Sequence, residues 1–190
     1  MDTSEYAAGL ARADRKTFER FYDEYSPRLY HYILGRLRNR SDSEDVLQTV
    51  MMRLVRNRFK LKHVENLAAF VFTIARNESI RFAKRSKRRM ERGDIYLVEP
   101  PDESDSHPEV LERCELVNDA LKQLPLDQYE ALTLKIYSGL TFRQIGAVTG
   151  VSENTAASRY RYAVEKVRTY LGEEDEKGKN RKAPGRIQAG

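Results

Sequence analysis

Apolar residues recur along this chain at intervals of three and four, the spacing that puts them on one face of a helix. Phe18, Phe21, Tyr22 and Tyr25 mark a first amphipathic helix. Pro27 suits the first turn of a second, because its missing N–H lies where no intrahelical partner exists, and Leu29, Tyr30, Ile33, Leu34 and Leu37 follow. Ser41-Asp42-Ser43-Glu44 has the form of a capping box and predicts a third helix from about Ser43 to Arg58, with Leu47, Val50, Met51 and Leu54 on one face. Asn66 caps a fourth helix, from Leu67 to about Arg89, whose apolar face is Leu67, Phe70, Val71 and Ile74. Strand-like alternation is nearly absent; Ile95-Tyr96-Leu97-Val98 is the one short candidate.

The helical pattern falls into two blocks, 14–92 and 108–171. Between them, 93–107 holds Pro100-Pro101 among acidic and Ser residues, a composition that disfavours helix and reads as a linker. The tail, 172–190, is charged and then Gly/Pro-bearing and reads as disordered. The expected fold is all-α: two helical domains joined by a flexible linker, the C-terminal one containing a helix-turn-helix.

That motif is the sharpest local signal. Thr141 caps a short helix, Phe142–Thr149; Gly150 supplies a positive-φ turn; Ser152 caps a second helix. Gly146 leaves room where the two helices approach, and Ile145, Val151 and Ala156 form the small core between them. The second helix then presents Asn154, Ala157, Ser158 and Arg161 outward, short, polar and cationic, as the edges of bases in a major groove require.

Composition narrows the chemistry. The 190 residues carry a formal charge of only +5, so the placement of charge matters more than its sum. Arg81, Lys84, Arg85, Lys87, Arg88, Arg89 and Arg92 crowd the end of the fourth helix against Glu91 alone, and phosphate would supply the missing counter-charge. Phe70 and Phe72 are candidates for stacking on exposed bases, although Phe70 shares the apolar stripe and so suits the core. The single cysteine, Cys114, and the scattered His31, His63 and His107 offer no metal-ligand spacing. There is no basic, apolar start of a signal peptide and no membrane-length apolar run. No Gly-rich phosphate loop or nucleophile–base pair points to an enzyme. No cofactor is expected, and the protein should be cytoplasmic.

These residues resemble the extracytoplasmic-function class of bacterial RNA polymerase sigma factors. Residues 41–54, SDSEDVLQTVMMRL, are similar to the family's acidic D-x-E-D-L-x-Q motif, and Phe70–Asn77, FVFTIARN, to its W-L-x-x-I-A-R-N segment. Leu124-Pro125 followed by Gly139–Gly146 resembles the L-P…G-x-S-x-x-E-I-A stretch, and Ser158-Arg159 a paired position in its recognition helix. The resemblance implies that Asp45, Gln48, Met51 and Met52 engage core polymerase. It implies that Arg76, Asn77, Arg81, Lys84, Arg85 and Arg88 meet the minus-ten element as it melts, with the loop from Phe59 to Asn66 receiving a flipped base. Arg143, Glu153, Asn154, Thr155, Ala157, Ser158, Arg159 and Arg161 would serve the minus-thirty-five element. Core polymerase, promoter DNA and an anti-sigma protein are the implied partners. The chain departs from the pattern at Phe70, where Trp is common, at Arg81, where Asp is usual, at Thr49, where Glu is frequent, and at Tyr162, where Arg is frequent. A free-standing helix-turn-helix regulator is the competing reading; it would bind duplex DNA without polymerase.

Overall fold

The computed structural model of the chain describes residues 3–91 and 116–181. Everything described is helical. The first domain comprises α1 (Thr3–Ala11), α2 (Arg15–Leu37), α3 (Arg40–Arg56), a 3-10 turn (Arg58–His63) and α4 (Leu67–Glu91); the second comprises α5 (116–122), α6 (Leu126–Ser138), α7 (Phe142–Thr149) and α8 (Glu153–Arg181). The linker, 93–107, and the strand candidate at 95–98 lie outside the described residues.

α2 begins where Asp14 accepts a hydrogen bond from the Thr17 backbone N–H at 3.0 Å and another from its hydroxyl. Those bonds favour the ionised form and hold the carboxyl below its ordinary pKa. Pro27 does not open a new helix, as its sequence position suggested; it lies inside α2. The reason is tertiary. Phe21, Tyr25, Leu29, Tyr32 and Ile33 form one buried stripe that crosses Pro27 unbroken, and its burial outweighs the backbone bond that proline forfeits. α2 stops at Arg38, which adopts a left-handed conformation (φ 54°) and returns its N–H to the Leu34 carbonyl.

Two further boundaries move. α3 starts at Arg40 because Asn39, not the Ser41–Glu44 box, is the cap: its side chain accepts from Asp42 N–H at 2.9 Å, while Ser43 is buried and bonds back to the Asn39 carbonyl. α8 continues past Leu171 to Arg181, so 172–181 is helix and not part of a disordered tail; the Glu-Glu-Asp-Glu-Lys run consists mostly of good helix formers. Residues 182–190 lie outside the described residues. Asn66 and Ser152 cap as expected, accepting from Ala69 N–H (2.8 Å) and Thr155 N–H (3.1 Å).

α1 precedes the block that the sequence pattern marked, yet it belongs to the first domain. Tyr6, Ala7, Leu10 and Ala11 are buried against α2, the 3-10 turn and α4. Tyr6 meets Phe21 and Tyr25 edge-on, with ring centroids 5.8 and 6.1 Å away, and its hydroxyl donates to Glu24 at 2.7 Å. Burial first, and that bond second, push the Tyr6 hydroxyl up to about 12, so it remains a donor at neutral pH.

In the second domain Thr141 and Gln144 complete a capping box at the start of α7, and Gly150 ends it at φ 78°. A Cβ on Gly146 would lie 2.7 Å from the Val151 carbonyl oxygen, so only glycine lets the turn close this tightly. Ile145 and Ala156 are fully buried beneath that turn.

The two domains are in contact. α2 packs on α6, and α4 on α6 and α7, so that one core runs from Phe21, Tyr32, Val50 and Phe72 to Leu134, Ile145 and Ala156. α8 packs on α6 and α7. Gly146→Ala should destabilise the second domain by about 1–3 kcal/mol, the usual cost of forcing an extra carbon into a closed contact. Urea denaturation followed by circular dichroism should show an earlier midpoint for that variant, and none of this shift for the exposed Ala147→Ser.

Candidate polymerase and DNA surfaces

α3 separates its two faces by spacing. Val46, Val50, Met51 and Leu54 face the core, while Asp45, Gln48, Met52 and Val55, at intervals of three and four, form an exposed stripe. Met52 is 48% exposed but Met51 only 6%. Met51 is therefore a packing residue: at i+6 from Asp45 it is turned about 120° around the helix from it. Val55, at 42% exposure, completes the apolar half of the stripe and was not singled out from the sequence, since a lone exposed valine carries no signal until the helix phase is known. Next to the stripe, burial and then the charge of Asp45 raise the Asp42 carboxyl above its ordinary pKa.

α4 carries Asn77, Arg81, Lys84, Arg85 and Arg88 on one exposed stripe. Two features limit what this helix offers. Arg81 is tied to the buried Glu78 at 2.7 Å; Glu78 also binds Arg53 of α3 at 3.1 Å, so the carboxylate joins the two helices. Arg76 lies about a quarter-turn off the stripe and faces the second domain, where its Nε donates to Glu130 at 3.0 Å. The aromatic candidates also divide. Phe72 is fully buried, edge-on to Tyr32 at 5.4 Å, and cannot stack on a base; Phe70 is partly buried against the core. The most exposed aromatic among the described residues is instead Phe59, 62% exposed, with the Arg58 guanidinium 4.3 Å from its ring centroid. It stands in the 3-10 turn that replaces the expected loop.

The first turns of α8 lie open. Glu153, Asn154, Thr155 and Arg161 are exposed, Ala157, Ser158 and Arg159 half-buried, and Arg143 of α7 is exposed beside them in sequence order. Ser158 donates back to the Asn154 carbonyl at 2.8 Å, and Arg161 lies over the Tyr162 ring at 5.3 Å. Arg159 is held by Asp127 of α6 at 3.1 Å, which fixes the direction of its guanidinium. Among the described residues no cluster of potential metal ligands occurs, and no helix is long and apolar enough to cross a membrane.

A capped, glycine-turned helix-turn-helix with an open second helix, on a separate helical domain whose longest helix is striped with cations, is an arrangement shared with known proteins. Sigma-70 region 2 matches residues 21–89 and Sigma-70 region 4 matches residues 114–167. The RNA polymerase sigma factor CarQ of Myxococcus xanthus is 32% identical over 160 residues, spanning 82% of this chain and 90% of its own length. The chain belongs to the extracytoplasmic-function class of RNA polymerase sigma factors. The ECF sigma factor SigL of Mycobacterium tuberculosis is 30% identical over 87% of this chain and 95% of SigL. Among solved structures, the sigma factor RpoE in complex with the anti-sigma factor NepR from Bartonella quintana is similar in fold, with a TM-score of 0.65, 24% identity and coverage of 83% of this chain and 98% of that one. CnrH in complex with the cytosolic domain of CnrY has a TM-score of 0.60 at 19% identity, covering 90% and 97%. Members of this family are transcription initiation factors that bind core RNA polymerase and promoter DNA, and this chain is one of them.

The division of α3 into two faces has a direct consequence for stability. Met51→Ala should cost about 2–5 kcal/mol, as for other buried large-to-small changes, whereas Met52→Ala should stay within about 0.5 kcal/mol of wild type. Chemical denaturation of the two variants measures both.

Proposed function

We propose that the sigma factor divides its work among three surfaces. The α3 stripe of Asp45, Gln48 and Met52, extended by Val55, docks on core polymerase; it joins an acidic edge to an apolar one that gains by burial. Asn77, Lys84, Arg85 and Arg88 on α4, joined by Arg81 and, once released, by Arg76, take the minus-ten strand as it melts. Phe59 supplies an aromatic face for an unstacked base. Asn154, Ala157, Ser158 and Arg161, with Glu153 and Thr155 in the first turn, read the minus-thirty-five element in the major groove, while Arg143 and Arg159 hold its backbone. The factor itself is not catalytic; bond formation belongs to the polymerase. It acts in the cytoplasm, where chromosome and polymerase meet, and an anti-sigma protein is a fitting regulator, since the sigma factor RpoE is seen bound to the anti-sigma factor NepR.

The observation that carries this reading is the coexistence of two unlike nucleic-acid surfaces in one chain. Short capped helices at a tight turn suit an intact groove, and a long cationic helix in a domain that also exposes an aromatic side chain suits backbone and unstacked bases. The experiment is permanganate footprinting of promoter thymines with core polymerase and this chain. Wild type should make minus-ten thymines reactive, and Asn77→Ala with Arg85→Ala should reduce that reactivity on duplex promoters more than on pre-melted ones. Asn154→Ala or Arg161→Ala should lose on the order of 1–3 kcal/mol of base discrimination upstream and leave polymerase binding intact. An absence of protein-dependent thymine reactivity at every cognate promoter would overturn the assignment.

A further inference from the structure

Three hydrogen-bond donors from the first domain converge on one oxygen from the second. Glu130 Oε1 on α6 accepts from the Tyr32 hydroxyl at 3.0 Å, from Arg76 Nε at 3.0 Å and from the Arg36 guanidinium. The Glu130 side chain is 6% exposed and that of Arg36 7%, so charges of both signs are buried where the domains meet. Two cations against one carboxylate leave the cluster a net positive charge. The surroundings are built to hold it. A Cβ on Gly35 would overlap the Tyr129 phenol, which lies across the α2 backbone there and donates to the His31 carbonyl at 3.0 Å. Arg38, one turn on, donates to the Lys122 carbonyl at 2.9 Å. Burial, and next the charge of Glu130, keep the Tyr32 hydroxyl protonated, hence a donor.

This arrangement cannot persist on a promoter, if the two domains read their elements as set out above. Elements roughly 25 base pairs apart are separated by some 85 Å of duplex, at about 3.4 Å per base pair. Domains that share a core must part to span that distance, and parting strips Arg36 and Arg76 of their carboxylate. We propose that Tyr32, Arg36 and Arg76 form a single anion seat with two alternating occupants: the Glu130 carboxylate while the domains are packed, and a phosphate of the melted promoter strand once they separate. The chain thereby blocks part of its own minus-ten surface. Arg36 becomes a DNA contact that no sequence motif marks, and the closed form is a competitor of the nucleic acid.

The test uses the full chain, small-angle X-ray scattering, and binding of fluorescent single-stranded DNA over a range of salt. Glu130→Gln keeps the shape and removes the charge; Gly35→Ala unseats Tyr129 without altering any charge. Both should enlarge the radius of gyration, with helical content unchanged. Both should tighten binding of single-stranded DNA, Glu130→Gln by about tenfold or more, in line with the cost of losing one partner of a buried ion pair. Adding Arg36→Gln to Glu130→Gln should reverse the gain and flatten the logarithmic salt dependence by about 0.7, the share of one phosphate on a single strand. A radius of gyration unchanged in both single variants overturns the closed form as a device. Opening without tighter DNA binding overturns the competition. An unaltered salt slope on adding Arg36→Gln overturns the seat. Oligo(dT) and promoter-strand probes are run side by side, because the seat takes any phosphodiester. Equal affinity for both, with the expected variant effects, would remove the minus-ten assignment of α4 and leave the seat standing.

Discussion

A buried carboxylate must be matched by donors, and among the described residues Glu130 finds its side-chain donors in the other domain. Left alone on the face of α6 it would be hydrated and inert. Under the first domain it holds Tyr32, Arg36 and Arg76 together, and these come from two helices that are distant in sequence. Such a cluster adds little net stability compared with apolar side chains of similar volume, because desolvation consumes most of the Coulombic gain. It specifies arrangement instead. An apolar interface tolerates sliding; a carboxylate with three convergent donors, and a phenol resting on Gly35, tolerate one docking geometry. The shared apolar core supplies the burial at this interface, and the ionic cluster supplies its register.

The same division between holding and reading runs along every functional helix. On α4, Val71, Phe72 and Ala75 face inward while Asn77, Lys84, Arg85 and Arg88 face outward, and Glu78 is buried between to anchor Arg53 and Arg81. On α3 adjacent methionines take opposite duties. On α8 Ala156 and Ala163 are buried and Tyr160 packs on Phe142, while Asn154 and Arg161 stay exposed. Small residues at the crossings let the helices approach, and the long polar ones then project from a rigid support.

What the sequence made legible was what local chemistry decides. The cap at Thr141, the turn at Gly150, the small core of Ile145 and Ala156 and the caps at Asn66 and Ser152 each involve residues close together in sequence, and each formed. What it concealed depends on partners far along the chain. Pro27 reads as a helix start until the buried stripe on both sides is seen; Asn39 outcompetes a better-looking capping box because Ser43 is needed in the interior. α1 was passed over because Tyr6 and Leu10 gain meaning only against Phe21, Tyr25 and the 3-10 turn. The residues that the sequence offered for polymerase and DNA fall on exposed or half-buried helix faces, except at Met51, where phase turns the side chain to the core, and at Arg76, where a charge found a distant partner.

Arg76 is the instructive case. From sequence it is one more cation on a cationic helix, and its lateral offset from the Asn77–Arg88 stripe is small enough to ignore. In the fold that offset of about 100° directs it to Glu130, while its neighbour Asn77 stays in solvent. A guanidinium presents several N–H donors in a plane and binds carboxylate and phosphate by the same geometry, so the contact it makes inside the protein is chemically a rehearsal of the one it would make outside. On the proposal above, Glu130 of the second domain covers this part of the first, and it is withdrawn when the domains separate to reach two distant promoter elements.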